Sequence, residues 1–443
     1  KISIPINPNF CYHKNHITLF FLVYNNLLKY QLFLRYFRSH NPLRKTLFIM
    51  IIVKFFALKF RIVNIDLYQK SSMKYCKKCL MPDTRPGIKF DSNNVCAACI
   101  NYTKQKTTNW QQRFDELKTV CDKYRGCNGK GYDCAIAVSG GKDSHFQTYI
   151  MKEVLKMNPV LLSVGNIDWT ETGRRNLENL SDAFGCDIIT FQPNRRVARI
   201  MFKKALEKIG SPSWYLDSLI YAFPVSMTMK MGIKLLVYGE DINYTYGGKQ
   251  GVEKPSAINQ VENDVVKPVW GEWLDDEITE EDLASTRVPS AEECNAYGLE
   301  AIYLSYFVPW NSVHNYEIAK QWGFQNLSNE YEREGSIDNY DQIDSLTYLL
   351  NPYLKYLKFG HAIATDNASR WIRYGIKTRD EMIPIVEERD KKLDQIIIDK
   401  FCEFTRISHT EFWEMMDKWY NPDLFERDNH GRWHPKFKVG QSQ

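Results

Sequence analysis

Apolar and polar positions alternate along the chain in two rhythms, and the change of rhythm marks out its elements. An apolar run over 134–138 predicts a strand, and a helix-period segment follows over about 145–156. The same pairing recurs as a strand over 159–164, a helix over about 171–184 and a strand over 187–191. Helices over about 197–209 and 215–231 then lead to a strand over 234–238. Strands alternating with helices predict a parallel sheet covered on both faces, an α/β fold. A further strand is expected over 301–307 and a helix over about 313–322. The remainder reads as mainly helical, with segments over about 380–389, 394–404 and 411–420. Upstream, Phe114, Leu117, Val120 and Cys121 fall at helical spacing and predict a linker helix over 110–124. The dense acidic run over 275–282 is expected to be a solvated helix start or an insertion.

Composition changes this picture mainly at the N-terminus. The chain has 443 residues and a formal net charge of +5, unevenly placed. Residues 1–72 hold 11 Lys and Arg against one acid, Asp66, which leaves 47 basic and 52 acidic residues for 73–443. A mildly acidic body is a poor partner for a nucleic-acid backbone, so no nucleic acid is expected as ligand. The longest apolar run of the first segment, 47–53, is ended by Lys54, well short of the ~20 residues needed to span a bilayer. No membrane span and no secretory signal are expected there, and the protein is expected in the cytoplasm. The segment reads either as an interfacial basic helix or, preferably, as a non-native upstream extension of a body starting at Met73. On the second reading its deletion leaves activity intact.

Eleven cysteines are present, and four form two pairs, Cys76/Cys79 and Cys96/Cys99, in the pattern C-x2-C-x16-C-x2-C. That spacing suits one tetrahedral ion held by four thiolates, and so a structural Zn²⁺ in a ribbon-like knuckle over 73–105. The other reading is four unpaired thiols. Pro82, Pro86, Gly87 and the 91–94 cluster supply turns, with a short strand expected over 88–90.

The richest chemistry follows the 134–138 strand: Ser139-Gly140-Gly141-Lys142-Asp143-Ser144. Adjacent glycines free the backbone to approach a ligand, and a helix N-terminus behind them makes an anion site. Lys142 adds charge, and Ser139 and Ser144 add hydroxyls. This is not the Walker A pattern, in which Lys follows G-x-x-x-x-G. It resembles the loop of the PP-loop ATP pyrophosphatases, which implies cleavage of ATP between the α and β phosphates with Lys142, Asp143 and Ser144 as catalytic residues. Ligands of open α/β sheets sit beyond the carboxyl ends of the strands. Two more such ends are therefore candidates, the loop starting at Ser163 and Val164, for adenine and ribose, and Gly239-Glu240-Asp241. Glu240 and Asp241 read either as ligands for the Mg²⁺ of ATP or as solvated loop acids. Tyr246, in an aromatic and amide-rich stretch, suits a sugar or nucleotide wall.

Further along, His361, Asp366, Asn367, Arg370 and Arg373 form a polar cluster within a helical region. The arginines suit a bound carboxylate or phosphate, or else surface ion pairs. His361 reads as a general base or as a plain structural residue. The order of motifs is specific: Met81-Pro82-Asp83-Thr84-Arg85-Pro86-Gly87-Ile88 between the cysteine pairs, the Ser139–Ser144 loop, Tyr306-Phe307-Val308-Pro309-Trp310-Asn311, then Lys358-Phe359-Gly360, Thr365, Asp366, Ser369 and Arg373. It resembles the N-acetyl sugar amidotransferase family, which includes the pseudaminic and legionaminic acid and O-antigen enzymes, over about 73–425. The resemblance implies ATP-dependent conversion of an acetamido group on a sugar to an acetamidino group, with Trp310, Tyr246, His361, Arg370 and Arg373 toward the substrate. No glutaminase machinery is evident, so a separate glutaminase subunit is expected to supply ammonia. The implied divisions are a knuckle over 73–105, a linker over 106–130, an ATP-binding domain over 131–325 and a helical substrate or partner region over 326–443. The competing reading is a tRNA-modifying PP-loop enzyme of the thiolase type.

Overall fold

The computed structural model describes residues 73–248, 253–260 and 271–442. The expectations for 1–72 lie outside the described residues.

Five parallel strands form one sheet: β1 (Cys134–Val138), β2 (Pro159–Val164), β3 (Ile188–Phe191), β4 (Leu235–Tyr238) and β5 (Glu300–Tyr303), in the spatial order β3-β2-β1-β4-β5. β1 is central, pairing Ile136 with Leu161 on one side and with Val237 on the other. A strand covered on both faces reads as a continuous apolar run, and Cys134-Ala135-Ile136-Ala137-Val138 does. Its side chains still sort by parity. Cys134, Ile136 and Val138 enter a cluster with Leu117, Phe146 and Phe307. Ala135 joins Val160, Leu162, Phe223 and Leu236 on the opposite face. A third cluster packs the helices Arg195–Ile209 and Trp214–Lys230 against Leu350–Phe359, Gln395–Thr405 and His409–Asp417. The mainly helical C-terminal region is thereby built onto the sheet layer.

The predicted α/β class and the helical C-terminal region hold. Three local expectations are corrected. The helix after the glycine pair starts at Lys142, ends at Thr148 and continues as a π-helix over Tyr149–Val154. The strand expected over 301–307 stops at Tyr303, and Leu304–Phe307 is helical. Ser305 N there donates to Gly239 O at 2.9 Å, and Asp241 N donates to Ser305 Oγ at 3.3 Å, so the chain turns to close over the end of β4. The strand expected over 88–90 reduces to a single bridge between Phe90 and Cys96. Asp91 Oδ1 accepts from Asn93 N at 2.9 Å and Val95 N at 2.8 Å, which curls that stretch into a turn. The acidic run does start a helix, Glu280–Leu283, capped by Thr279, and Asp275 and Asp282 pair with Lys204 and Arg196. Among the described residues, no helix is long and apolar enough to cross a membrane.

Candidate functional site

The strand order reverses at β1, which leaves a crevice between the carboxyl ends of β1 and β4. Ser139–Ser144 lies on one side of it and Gly239–Asp241 on the other. Gly140 has φ +88°, and a Cβ there would meet Leu177 N at 2.9 Å. Only glycine meets both conditions. Gly140→Ala is therefore expected to cost about 1–3 kcal/mol of stability. Urea unfolding would show the cost, and phosphate-ligand binding should weaken with it.

The loop is braced from within. Ser139 N donates to Ser144 Oγ at 2.9 Å, and Gly141 N to Ser139 Oγ at 3.4 Å. His145 is fully buried, and burial pushes its pKa down to about 4, so it is neutral. Asn179 Nδ2 donates to its Nε2 at 3.1 Å, which leaves Nδ1–H to donate to Gly141 O at 3.1 Å. A neutral imidazole thus pins the loop carbonyl.

Lys142 is buried, and its ammonium reaches Asp143 Oδ2 at 2.7 Å and also Asp341 Oδ1. Burial opposes its charge, but the two carboxylates outweigh burial and hold its pKa well above the ordinary value. Asn315 Nδ2 donates to Asp143 Oδ1 at 2.8 Å. Asp341 accepts a second cation, Arg370 Nη2, at 2.5 Å. Burial works against its carboxylate, yet Arg370 and Lys142 hold its pKa down at about 2. Arg370 Nη1 donates to Tyr246 Oη at 3.1 Å, and Tyr246 Oη donates to Glu240 Oε1 at 3.1 Å. Burial first, then the Asp143 charge, pushes Glu240 up to about 7. Lys142, Asp143, Glu240, Tyr246 and Arg370 are thus one connected array, with Asp341 at its centre.

Asp341 and Asn315 escaped the sequence reading. The segment carrying Asp341 is docked onto the loop after β2. Thr170 Oγ1 donates to Ile343 O at 2.6 Å, and Asn166 Nδ2 to Asp344 Oδ2 at 2.9 Å. Asp168 Oδ1 accepts from Ser345 Oγ at 2.8 Å and Thr347 Oγ1 at 2.9 Å. The one signal available was three acids, Asp338, Asp341 and Asp344, at a spacing of three.

Other candidates stand elsewhere. Ser163 is buried at the end of β2, paired in register with Val138, and its hydroxyl has no hydrogen-bond partner. Val164 packs with Phe191 and the apolar clusters. Asp241 is buried, and its Oδ1 accepts from Tyr244 N at 3.3 Å, capping the turn after β4. Trp310 is in the apolar core, edge-on to Phe146 with ring centroids 5.5 Å apart and beneath Gly239, where a Cβ would meet its ring at 3.1 Å. His361 is fully buried with Nδ1 3.8 Å from Asp366 Oδ1, and burial pushes its pKa down to about 3. Arg373 Nη1 lies against Cys79 Sγ at 3.9 Å.

That sulfur belongs to the second centre. Cys76, Cys79, Cys96 and Cys99 are buried, with their sulfurs all within 4.8 Å of one another. Cys76–Cys99 and Cys79–Cys96 are 3.9 and 3.7 Å apart. A tetrahedral ion with 2.3 Å bonds to sulfur would space its ligands by about 3.8 Å. The donor set therefore fits one thiolate-loving ion with no open position. A cubane cluster, with ligands outside its corners, would need wider spacing.

A five-stranded parallel α/β sheet with a glycine-rich loop at its switch point, together with a four-cysteine centre, defines the class of fold. Comparison then narrows the C-terminal part. Residues 334–438 match the family model of the LPS biosynthesis protein WbpG-like, C-terminal domain. A curated relative, the uncharacterized protein MJ1599 of Methanocaldococcus jannaschii, is 24% identical over 183 residues, 40% of this chain. The chain spans 64% of that relative's length. Among solved structures, a predicted subunit of tRNA methyltransferase from Methanocaldococcus jannaschii aligns at TM-score 0.23 and 13% identity, over 42% of this chain and 75% of that one. The U34-tRNA thiolase NcsA from Methanococcus maripaludis, with its [4Fe-4S] cluster, aligns at 0.28 and 12%, over 62% and 80%. Asp341 and Arg370 both fall inside the segment that matches the LPS biosynthesis domain.

Proposed function

We propose that this chain is an ATP-dependent, AMP- and pyrophosphate-forming amidotransferase of the C–N ligase type. Its substrate would be a bacterial surface sugar, a nonulosonic acid or O-antigen sugar, whose acetamido group becomes acetamidino. One observation carries the reading. The region similar to an LPS biosynthesis domain contributes Asp341 and Arg370 to the array around the phosphate-loop Lys142. On this reading the proposed ATP loop and the segment similar to an LPS biosynthesis domain meet at one carboxylate, Asp341.

The proposed steps balance simply. The amide oxygen attacks the α-phosphorus of ATP, the bond to the β-phosphate oxygen breaks, and pyrophosphate leaves with the electron pair. Ammonia then adds to the activated carbon, a proton is lost, and AMP departs from that carbon. An amide carbon is a poor electrophile, and the phosphate ester supplies its leaving group. The backbone N–H groups of Gly140 and Gly141 and the Lys142 ammonium would take up charge developing on pyrophosphate. Asp143 and Glu240, close enough for one to raise the other's pKa, would hold the Mg²⁺ that accompanies ATP. Buried atoms with no hydrogen-bond partner near the loop, Gln147 Oε1, Asn315 Oδ1 and Ser163 Oγ, suit a polar ligand there. The four cysteines would hold a structural Zn²⁺. A separate glutaminase subunit would deliver ammonia.

The expected result is multiple-turnover pyrophosphate release that requires both an N-acetylated sugar and ammonium, measured over a panel of acetamido sugars. Release that ignores the sugars and is stimulated by tRNA would overturn the proposal in favour of a thiolase-type enzyme.

A further inference from the structure

The knuckle and the phosphate-loop array share a helix. On Ile363–Tyr374, Arg370 and Arg373 are three residues apart and so neighbours on the helix surface, but they serve different centres. Arg370 reaches Asp341 at 2.5 Å and Tyr246 Oη at 3.1 Å, while Arg373 Nη1 reaches Cys79 Sγ at 3.9 Å. Leu80 N, next to Cys79, donates to Ser369 Oγ at 3.3 Å on the same helix. Arg379 Nε donates to Cys79 O at 3.1 Å from the next helix.

A second route reaches the other half of the array. Arg85, between the cysteine pairs, donates to Tyr246 O and lies with its guanidinium carbon 5.3 Å from the Tyr246 ring centre. Asn101, on the helix Ala97–Gln105 that begins beside Cys96 and contains Cys99, is buried and donates from Nδ2 to Tyr244 O at 2.9 Å. Gly247, at φ +76°, lies against that helix so closely that a Cβ would be 2.6 Å from Ala98 N. Both members of the Arg370–Tyr246 contact are therefore held from the knuckle side.

The cysteines share a small buried cluster with Met81, Val95 and Ala98, while Met73, Tyr75 and Leu80 of the same segment pack into neighbouring clusters. A cluster that small gains order from a bound ion. Four thiolates drawn together also need a cation to offset their repulsion, and Arg373 supplies only part of it.

We infer that the four-cysteine centre positions the Tyr246–Arg370 wall of the phosphate-loop site, through Arg373 and Arg85, so that occupancy of the centre and order of that wall are coupled. Arg373 and Arg85 are then positioning residues that need touch no substrate. The inference does not depend on which ligand the loop takes.

The test uses the full chain loaded with zinc, then stripped by a chelator under reducing conditions. Hydrogen exchange is expected to speed up at 73–105 and also at 239–248 and 363–374, while β1 to β5 stay protected. Arg373→Gln is expected to keep one zinc per chain but weaken zinc affinity, measured by chelator competition, about 10–100-fold. Coupling between sites is reciprocal in binding free energy, so Tyr246→Phe, which touches no cysteine, should weaken zinc affinity about 5-fold. Exchange confined to 73–105, with a Tyr246→Phe zinc affinity equal to wild type, would overturn the inference. So would loss of protection throughout the sheet, which would make the ion a general support of the fold.

Discussion

Replacing Lys142 with alanine is expected to abolish sugar-dependent AMP formation while leaving zinc bound. The lysine is the only cation in the Ser139–Ser144 loop. It is buried, and its ammonium is held between Asp143 and Asp341. One donor aimed at developing charge is commonly worth about 10²–10³ in rate, and a full charge in a water-poor site acts more strongly. A loss of at least about 10³-fold is expected. The fold should survive, because Asp341 keeps its pair with Arg370 at 2.5 Å. Asp143→Ala should reach a similar end point by a different route. It removes the carboxylate that joins Lys142 at 2.7 Å to Asn315 at 2.8 Å, leaving the ammonium drawn to Asp341 alone. The check is AMP formation with an acetamido sugar and ammonium, alongside zinc content and circular dichroism. Retained turnover in both variants would overturn the assignment of the loop.

What the sequence revealed of this site follows the range of the interactions involved. The loop was legible because its chemistry is local. Two glycines, a lysine and two hydroxyls stand within six residues, directly after a run whose burial on both faces makes it continuously apolar. The cysteine centre was legible for the same reason, since each pair is one tight turn. That the sheet is parallel followed from strands alternating with helices, whereas the order of its strands did not. The rest depends on contacts between distant segments. Nothing local to 338–344 says that it docks over the end of β2, so Asp341 passed unnoticed although it joins the two cations. Leu304–Phe307 is as apolar as β5 before it, and only Ser305 meeting Gly239 and Asp241 turns it out of the sheet. The polar cluster on Ile363–Tyr374 was visible as a cluster, but Arg370 and Arg373 look alike in sequence. Helix geometry sends one to Asp341 and the other to Cys79. Trp310 lies in a motif typical of the resembled family, and the structure adds what the motif does not show, that its ring packs against Phe146 beneath Gly239.

The centre of the array makes the largest prediction for stability. Asp341 is nearly inaccessible and pairs with two cations that are themselves largely buried. Removing one member of a buried ionic group leaves charge uncompensated and typically costs about 3–5 kcal/mol, far more than the intact group contributes over an apolar replacement. Asp341→Ala should fall in that range, because it leaves Lys142 with Asp143 alone and Arg370 without a carboxylate partner. Asp341→Asn should cost less, since an amide oxygen still accepts a hydrogen bond although it cancels no charge. The pH dependence separates charge from packing. The folded-state pKa of Asp341 is lowered from 3.8 to about 2 by Arg370 and Lys142 acting against burial. A lowered carboxyl pKa stabilises the fold fully above the unfolded value and loses that contribution as pH falls through the folded value. The gap in urea stability between wild type and Asp341→Asn should therefore be constant above about pH 5 and already narrower at about pH 3. A gap of the same size at both would mean that Asp341 acts by shape alone, and the charge-centred account of the Lys142–Arg370 array would fail.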